Sequence, residues 1–285
     1  MASLSSNEIS RSVRLALAED IGSGDITTLA TVPEGAMARA VIRAREPLVL
    51  AGLALPEAAF RQLSPAARVC REARDGQAVV AQQVLLKVEG PAGALLSAER
   101  VALNFLQRLS GIATLTARFV EAAKGAKARI LDTRKTTPGW RQLEKYAVTC
   151  GGGQNHRFGL FDMVLIKDNH LVVLRNERPN AIAAAVQRTR KLYPGLKIEV
   201  EADNLEQAGQ AVEAGADMIL LDNMTPAQLR EAVALCKGKV KTEASGGVTL
   251  ANIRAIAETG VDFISAGALT HSARAVDIGM DFDFS

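Results

Sequence analysis

The chain has 285 residues, 48% of them hydrophobic, enough to fill the core of one large domain or of one and a half ordinary ones. Its 34 basic and 31 acidic residues leave a net charge of +3, too small and too dispersed for a nucleic-acid or membrane footprint, so any cationic function is local. Cys70, Cys150 and Cys236 show no paired spacing, which argues against a disulfide framework or a zinc site; the first residues hold no apolar run of signal-peptide length, and no stretch approaches a membrane span, so free thiols and a cytoplasmic location are expected.

In the first hundred residues, short β-rich runs (Ala38 to Arg45, Leu48 to Leu53, Val79 to Val88) alternate with Pro, Gly and Asp-Gly turns, and a helix is predicted near Leu55 to Leu63. This is the pattern of a small α+β domain. Ser97 reads as the N-cap of a long helix with Glu99 in its first turn, and Ala102, Phe105, Leu106, Leu109 and Ile112 recur at helical spacing.

Beyond Gly125 the text becomes strand and helix in alternation. ARILDTRKT from Ala128, MVLIKDNH from Met163, KIEVEADN from Lys197, MILLDNM from Met218, VKTEASGG from Val240 and FISAGAL from Phe263 read as strands, the last five starting 34, 21, 22 and 23 residues apart. Amphipathic helices fill the intervals, with Asn204, Thr225 and Thr249 as predicted caps. Such a repeat predicts a parallel α/β barrel; six strands do not by themselves establish a closed eight-stranded one, and an open or incomplete barrel fits the pattern too.

A parallel barrel carries its active site at the C-terminal ends of its strands, and here those ends are polar throughout. They bear Asp132, Thr133, Arg134 and Lys135; Lys167, Asp168, Asn169 and His170; Glu201 and Asp203; Asp222 and Asn223; Glu243, Ser245, Gly246 and Gly247; and Ala266, Gly267 and Ala268. Glycine turns after the last two strands suit a phosphate bound by backbone N–H groups, although each alone is also an ordinary tight turn. Glu201, inside an otherwise apolar strand, and Asp222, at the neighbouring strand's end, suit Mg²⁺ shared with substrate phosphates. The cations Arg134, Lys135, His156, Arg157 and Lys167, with Arg100 and Arg108 on the long helix, outnumber the needs of one phosphate and imply a second polyanionic substrate. His156 lies in the glycine-rich run CGGGQNHRFGLFD and is open to a binding or a structural role, whereas His170 and His271 read as turn or interdomain residues. Arg141 and Lys145 are expected on a solvated helix face.

The motifs EDIGSGDITT, SAERVALNFLQRLSGIATLT, DTRKTTPGWR, GGGQNHRFGLFDMVLIKDNH, EVEADN, LLDNM, EASGGV and GALTHSARAVDIGMDF together resemble the quinolinate phosphoribosyltransferase family over essentially the whole chain. The segment VVLRNERPNAIAAAVQ, with Arg175, Glu177 and Arg178, departs from that pattern. The resemblance implies an N-terminal α/β sandwich domain over 1–112 and an open α/β barrel of about seven strands over 113–270, with the tail 271–285 packing back on the first domain. It implies transfer of phosphoribosyl from phosphoribosyl pyrophosphate to quinolinate with decarboxylation, giving nicotinate mononucleotide, pyrophosphate and CO₂ for NAD biosynthesis. Arg100, Thr133, Arg134, Lys135, His156, Arg157 and Lys167 would bind quinolinate. Glu201 and Asp222 would hold Mg²⁺ and phosphoribosyl pyrophosphate, Ser245 to Gly247 and Ala266 to Ala268 its 5′-phosphate, and Lys135, Glu201 and Asp222 would carry the catalysis. Relatives of this kind form homodimers with shared active sites, some assembled into hexamers, which would place Arg100 across the interface. Alternatives are a nicotinate phosphoribosyltransferase, a barrel aldolase using Lys167 as a Schiff base, and a silent binding protein.

Overall fold

A computed structural model of the protein describes residues 4–283. In chain order the elements begin with α1 (Ser6–Ile21), α2 (Ile26–Thr31), β1 (Met37–Ala44), β2 (Leu48–Val49), α3 (Ala54–Leu63), β3 (Arg68–Arg71), β4 (Ala78–Val79), β5 (Val84–Pro91) and α4 (Ala92–Ala122). They continue with β6 (Arg129–Leu131), α5 (Arg141–Cys150), β7 (Val164–Ile166), α6 (Asp168–Val173), α7 (Ala181–Leu192), β8 (Ile198–Ala202), α8 (Leu205–Glu213), β9 (Met218–Asp222), α9 (Pro226–Cys236), β10 (Lys241–Ser245), α10 (Ile253–Ala257), β11 (Phe263–Ser265), α11 (Ala268–His271) and β12 (Ile278–Asp283). The chain divides into two units: residues 1–117 with 137–152 and 272–285, and residues 118–136 with 153–271.

The first unit is built on a four-stranded sheet in the order β12-β1-β5-β3, antiparallel throughout. β12 comes from the far end of the chain and pairs Ile278 to Asp283 with Ala44 to Arg39. β3 was not legible in the sequence because RVCR shows no alternation of apolar residues. The run Val79 to Val88 is split by a turn whose Gln82 has φ +69°, and Leu48 to Leu53 is strand only over its first two residues. α4 buries Leu95, Ala98, Ala102, Phe105, Leu106, Leu109, Ile112 and Ala113, a stripe at 3- and 4-residue steps. It starts at Ala92, so Ser97 lies within the helix rather than capping it, and its hydroxyl donates instead to Asp25 Oδ2 at 2.8 Å. Gly111 lets the chain before β12 cross this helix, since a Cβ there would lie 1.9 Å from the Arg274 carbonyl oxygen.

The second unit is a six-stranded parallel sheet, β6-β11-β10-β9-β8-β7, with the helices in its crossovers. Gln154 adds one parallel bridge beside Leu131 on the free edge of β6, and no ladder joins β7 to that edge among the described residues, which leaves the barrel open. Asn204 and Thr225 cap α8 and α9 as predicted, each accepting an N–H three residues on. Thr249 does not cap: the chain makes a turn first, and Asn252 precedes α10. β8 is buried at all five positions, and its two-residue period sends Glu199 and Glu201 to the same face, opposite Ile198, Val200 and Ala202. Among the described residues no helix is long and apolar enough to cross a membrane.

Candidate active site

The C-terminal ends of the parallel strands surround a cavity of about 770 Å³. Thr133, Arg134 and Lys135 follow β6; His156 and Arg157 come from the glycine-rich loop; Lys167 follows β7; Glu201 lies on β8 and Asp222 ends β9. Ser245 to Gly247 and Ala266 to Ala268, after β10 and β11, complete the ring. Arg100 is not among these lining residues; it is exposed on α4, in the first unit.

Two guanidinium groups set the electrostatics of one wall. Arg134 Nε and Arg157 Nε are both buried without a hydrogen-bond partner. Burial first, and then the neighbouring Arg134, hold the Arg157 guanidinium below its ordinary pKa. Cations crowded in this way are relieved by an anion, and the planar guanidinium suits a carboxylate. Carboxylates crowd the ends of β8 and β9 in the same cavity. The Asp222 carboxyl is held above its usual range by burial and by the charges of Glu201 and Asp203. Lys167 Nζ stands 2.9 Å from Glu201 Oε2 and pairs with that carboxylate. That amine is paired and its side chain is 47% exposed, unlike the desolvated lysine a Schiff base requires.

His156 is oriented from three sides. Its backbone N–H donates to Asp132 Oδ1 at 2.9 Å, its Nδ1 accepts the Arg157 N–H at 2.7 Å, and its Nε2 lies 2.9 Å from Glu199 Oε2 and 3.4 Å from Glu243 Oε2. An Nδ1 that accepts leaves the proton of a neutral ring on Nε2, facing the glutamates. The three groups lie within 4.8 Å of one another, yet a protonated Nε2 donates to Glu199 with Glu243 alongside, which is not the arrangement of a ligand set. Glu199 Oε1 and both Glu243 oxygens are buried without hydrogen bonds, and burial drives both carboxyls up, with Glu199 adding to the rise at Glu243. His170 Nδ1 accepts the Lys167 N–H at the start of α6, the turn role expected of it.

Several residues stand elsewhere than the sequence suggested. His271 lines the cavity instead of serving only as a turn residue, because α11 starts directly after the Ala266-Gly267 turn. Lys145 is 3% exposed, not solvated, since α5 buries Leu143, Glu144, Ala147 and Val148 around it. Arg108 serves as a clamp: its Nη2 is 3.0 Å from Glu144 Oε1 and its Nη1 donates to the Ala273 carbonyl at 2.6 Å. Glu144 also accepts from the Thr137 N–H and hydroxyl, and Trp140 stacks on Phe105 with ring centroids 5.0 Å apart. Leu165, Leu220, Asn223, Val248 and Thr249 line the cavity as well. Of these only Asn223, at a polar strand end, carried a signal in the sequence.

Residues 25–110 match the family model for the quinolinate phosphoribosyl transferase N-terminal domain, and residues 112–281 match that for the C-terminal domain. The chain is 43% identical to a nicotinate-nucleotide pyrophosphorylase (carboxylating) of Mycobacterium leprae, over 94% of this chain and 95% of that protein. It is 42% identical to quinolinate phosphoribosyltransferase (decarboxylating) 1b of Nicotiana tabacum, over 95% of this chain and 81% of that one. The solved nicotinate-nucleotide pyrophosphorylase of Francisella tularensis superposes with a TM-score of 0.92 at 40% identity, over 99% of this chain and 98% of that one.

Proposed function

From the premise that the chain belongs to the quinolinate phosphoribosyl transferase family, we propose that it transfers phosphoribosyl from phosphoribosyl pyrophosphate to quinolinate with decarboxylation, in NAD biosynthesis. The observation that carries this reading is one cavity that holds two guanidinium groups whose buried Nε atoms lack partners together with converging carboxylates. A dicarboxylate acceptor fits the guanidinium groups and a phosphorylated, metal-bound donor fits the carboxylates.

Arg134, Arg157 and Lys167 bind the two quinolinate carboxylates, and Thr133 helps to position the ring. His156 acts beside them, its ring held by Glu199. The turns Ser245 to Gly247 and Ala266 to Ala268 present backbone N–H groups to the 5′-phosphate. The donor set of Glu201 and Asp222 fits Mg²⁺: hard carboxylate oxygens at adjacent strand ends, one of them held above its usual pKa by burial and by its acidic neighbours, in a cavity with room for phosphate oxygens. Mg²⁺ bound there would neutralise charge on the leaving pyrophosphate. Lys135, exposed at the rim, stabilises the same developing charge through its ammonium.

The reaction places few demands on proton transfer. The pyridine nitrogen attacks C1 of the ribose as pyrophosphate departs. The adjacent carboxylate then leaves as CO₂, its bonding electrons remaining on the ring carbon beside the quaternary nitrogen, and a proton completes nicotinate mononucleotide. Positioning and fixed charge supply the rate, in keeping with a cavity rich in Arg and Lys. The chain works as a cytoplasmic homodimer, alone or within a hexamer, and Arg100 of one copy serves the cavity of the other. Its exposure on α4 supports that role.

The deciding experiment measures CO₂ and nicotinate mononucleotide formed from quinolinate, phosphoribosyl pyrophosphate and Mg²⁺, with nicotinate as the control substrate. Turnover with quinolinate alone is expected. Turnover with nicotinate instead, or with neither, overturns the reading. Mixing Arg100→Ala with Lys135→Ala chains tests the shared site: activity should return on subunit exchange, and a mixture that exchanges yet stays inactive rules sharing out.

A further inference from the structure

Asn223 is the non-glycine residue of the cavity with a left-handed backbone, at φ +54°. Glycine adopts that conformation with least strain, so a side chain kept there calls for a use. The structure supplies one in three contacts. Asn223 Nδ2 donates to Asp222 Oδ2 at 2.6 Å, and its backbone N–H donates to the Ser245 carbonyl at 3.0 Å. Its Oδ1 lies so close to Gly246 that a Cβ on that glycine would stand 2.2 Å from it. The residue thus holds the carboxylate at the end of β9 and the glycine turn at the end of β10 in a single arrangement. The ladder between those strands, which pairs Asp222 with Ser245, stops at this point, and Asn223 continues the connection beyond it.

We propose that Asn223 is a positioning residue that fixes one Asp222 oxygen by hydrogen bonding and ties that carboxylate to the Ser245-Gly247 turn, so that the donor's 5′-phosphate and its metal-bearing end are set at one spacing. The inference rests on the reading that this turn and Asp222 hold phosphoribosyl pyrophosphate. The hydrogen bond leaves Asp222 Oδ1 to face the ligand, and the left-handed backbone aims the amide back at its own strand end. Residues that orient a ligating carboxylate affect affinity about as strongly as some ligands do.

Asn223→Gly separates this role from a structural one, because glycine keeps the backbone conformation and the N–H bond to Ser245 while removing only the side chain. Its melting temperature without ligands is expected within about 3 °C of the parent. KM for phosphoribosyl pyrophosphate and the half-saturating Mg²⁺ concentration should each rise roughly tenfold or more. KM for quinolinate should stay within about twofold, and calorimetric titration with Mg²⁺-phosphoribosyl pyrophosphate should show the same loss of affinity without turnover. Asn223→Asp, which exchanges the donor for a second charge beside Asp222, should be at least as impaired. Unchanged donor affinity in Asn223→Gly overturns the inference, as does an equal rise in both KM values. If the parent protein itself fails to bind phosphoribosyl pyrophosphate, the reading of the site and this inference fall together; a parent that binds it with an Asn223→Gly that binds equally well removes the inference alone.

Discussion

The two ends of the parallel sheet both hold charged groups and treat several of them in opposite ways. At the N-terminal ends, Asp262 accepts from Lys127 at 2.8 Å, from Lys241 at 2.9 Å and from both the N–H and hydroxyl of Thr242, while Asp217 accepts from Arg190 and the Ile198 N–H at 2.7 Å each. Burial would raise the Asp262 carboxyl, but these donors outweigh it and bring it down to about 2. At the C-terminal ends, the Asp222 carboxyl is shifted upward and two guanidinium Nε atoms of the cavity have no partner, and below them, inside β8 and β10, Glu199 and Glu243 are shifted upward as well. Satisfied charges stabilise a fold, whereas charges left incomplete hold binding energy in reserve for a ligand. The same sheet therefore has a structural end and a chemical end.

The largest break in this comparison comes from Lys135→Ala. It should lower kcat/KM by roughly 10² to 10³ with little change in melting temperature, as expected for one group that stabilises developing charge. A matching fall in stability would move Lys135 to the structural class. Glu201→Gln should follow, with kcat/KM down about 10- to 100-fold and thermal stability equal to or above the parent's, since a crowded carboxylate is removed. At the opposite end, Asp262→Ala should cost about 2 kcal/mol in urea unfolding by leaving the Thr242 N–H and two ammonium groups without their acceptor. Its kcat/KM per folded molecule should remain within about twofold of the parent's, and a larger loss would show that the two ends are coupled.

The smallest effect is in pH dependence, and its sign differs between the ends. The Glu243 carboxyl titrates higher folded than unfolded, so its contribution is present at low pH and is lost as pH rises through the folded value. Asp262 titrates lower folded than unfolded, so its contribution is present above the usual aspartate range and is lost as pH falls toward about 2. Urea midpoints of Glu243→Gln should therefore fall less than the parent's above about pH 5, and those of Asp262→Asn should flatten below about pH 4. Parallel curves for parent and variant on either limb would contradict the assignment at that end.

Much of the chemical end is legible in the sequence alone, for one reason. Parallel strands covered on both faces read as apolar runs, so the polar residues that close them stand out, and Thr133 to Lys135, Lys167, Glu201, Asp222 and the two glycine turns all line the cavity. Structural features that depend on distant partners were harder to read. Ser97 resembles a cap by type alone, but it sits inside α4 facing Asp25. Lys145 has the spacing of a surface residue, and its burial depends on what covers α5. Nothing in the glycine-rich run reveals that His156 meets Glu199 and Glu243, because those residues lie 43 positions and more downstream and come together only through strand register.

The sequence by itself determined the family, the alternation of strands and helices, and which strand ends carry chemistry, since apolar period and motif identity are local properties of the chain. Tertiary structure alone decided which charges are completed and which are left open: the pairing of Lys167 with Glu201, the neutral tautomer of His156, the bare Nε atoms of Arg134 and Arg157, and the turn of Asn223 back onto Asp222. A charge takes its energy from the partners and the desolvation around it, and both are set only when strands distant in sequence come into register.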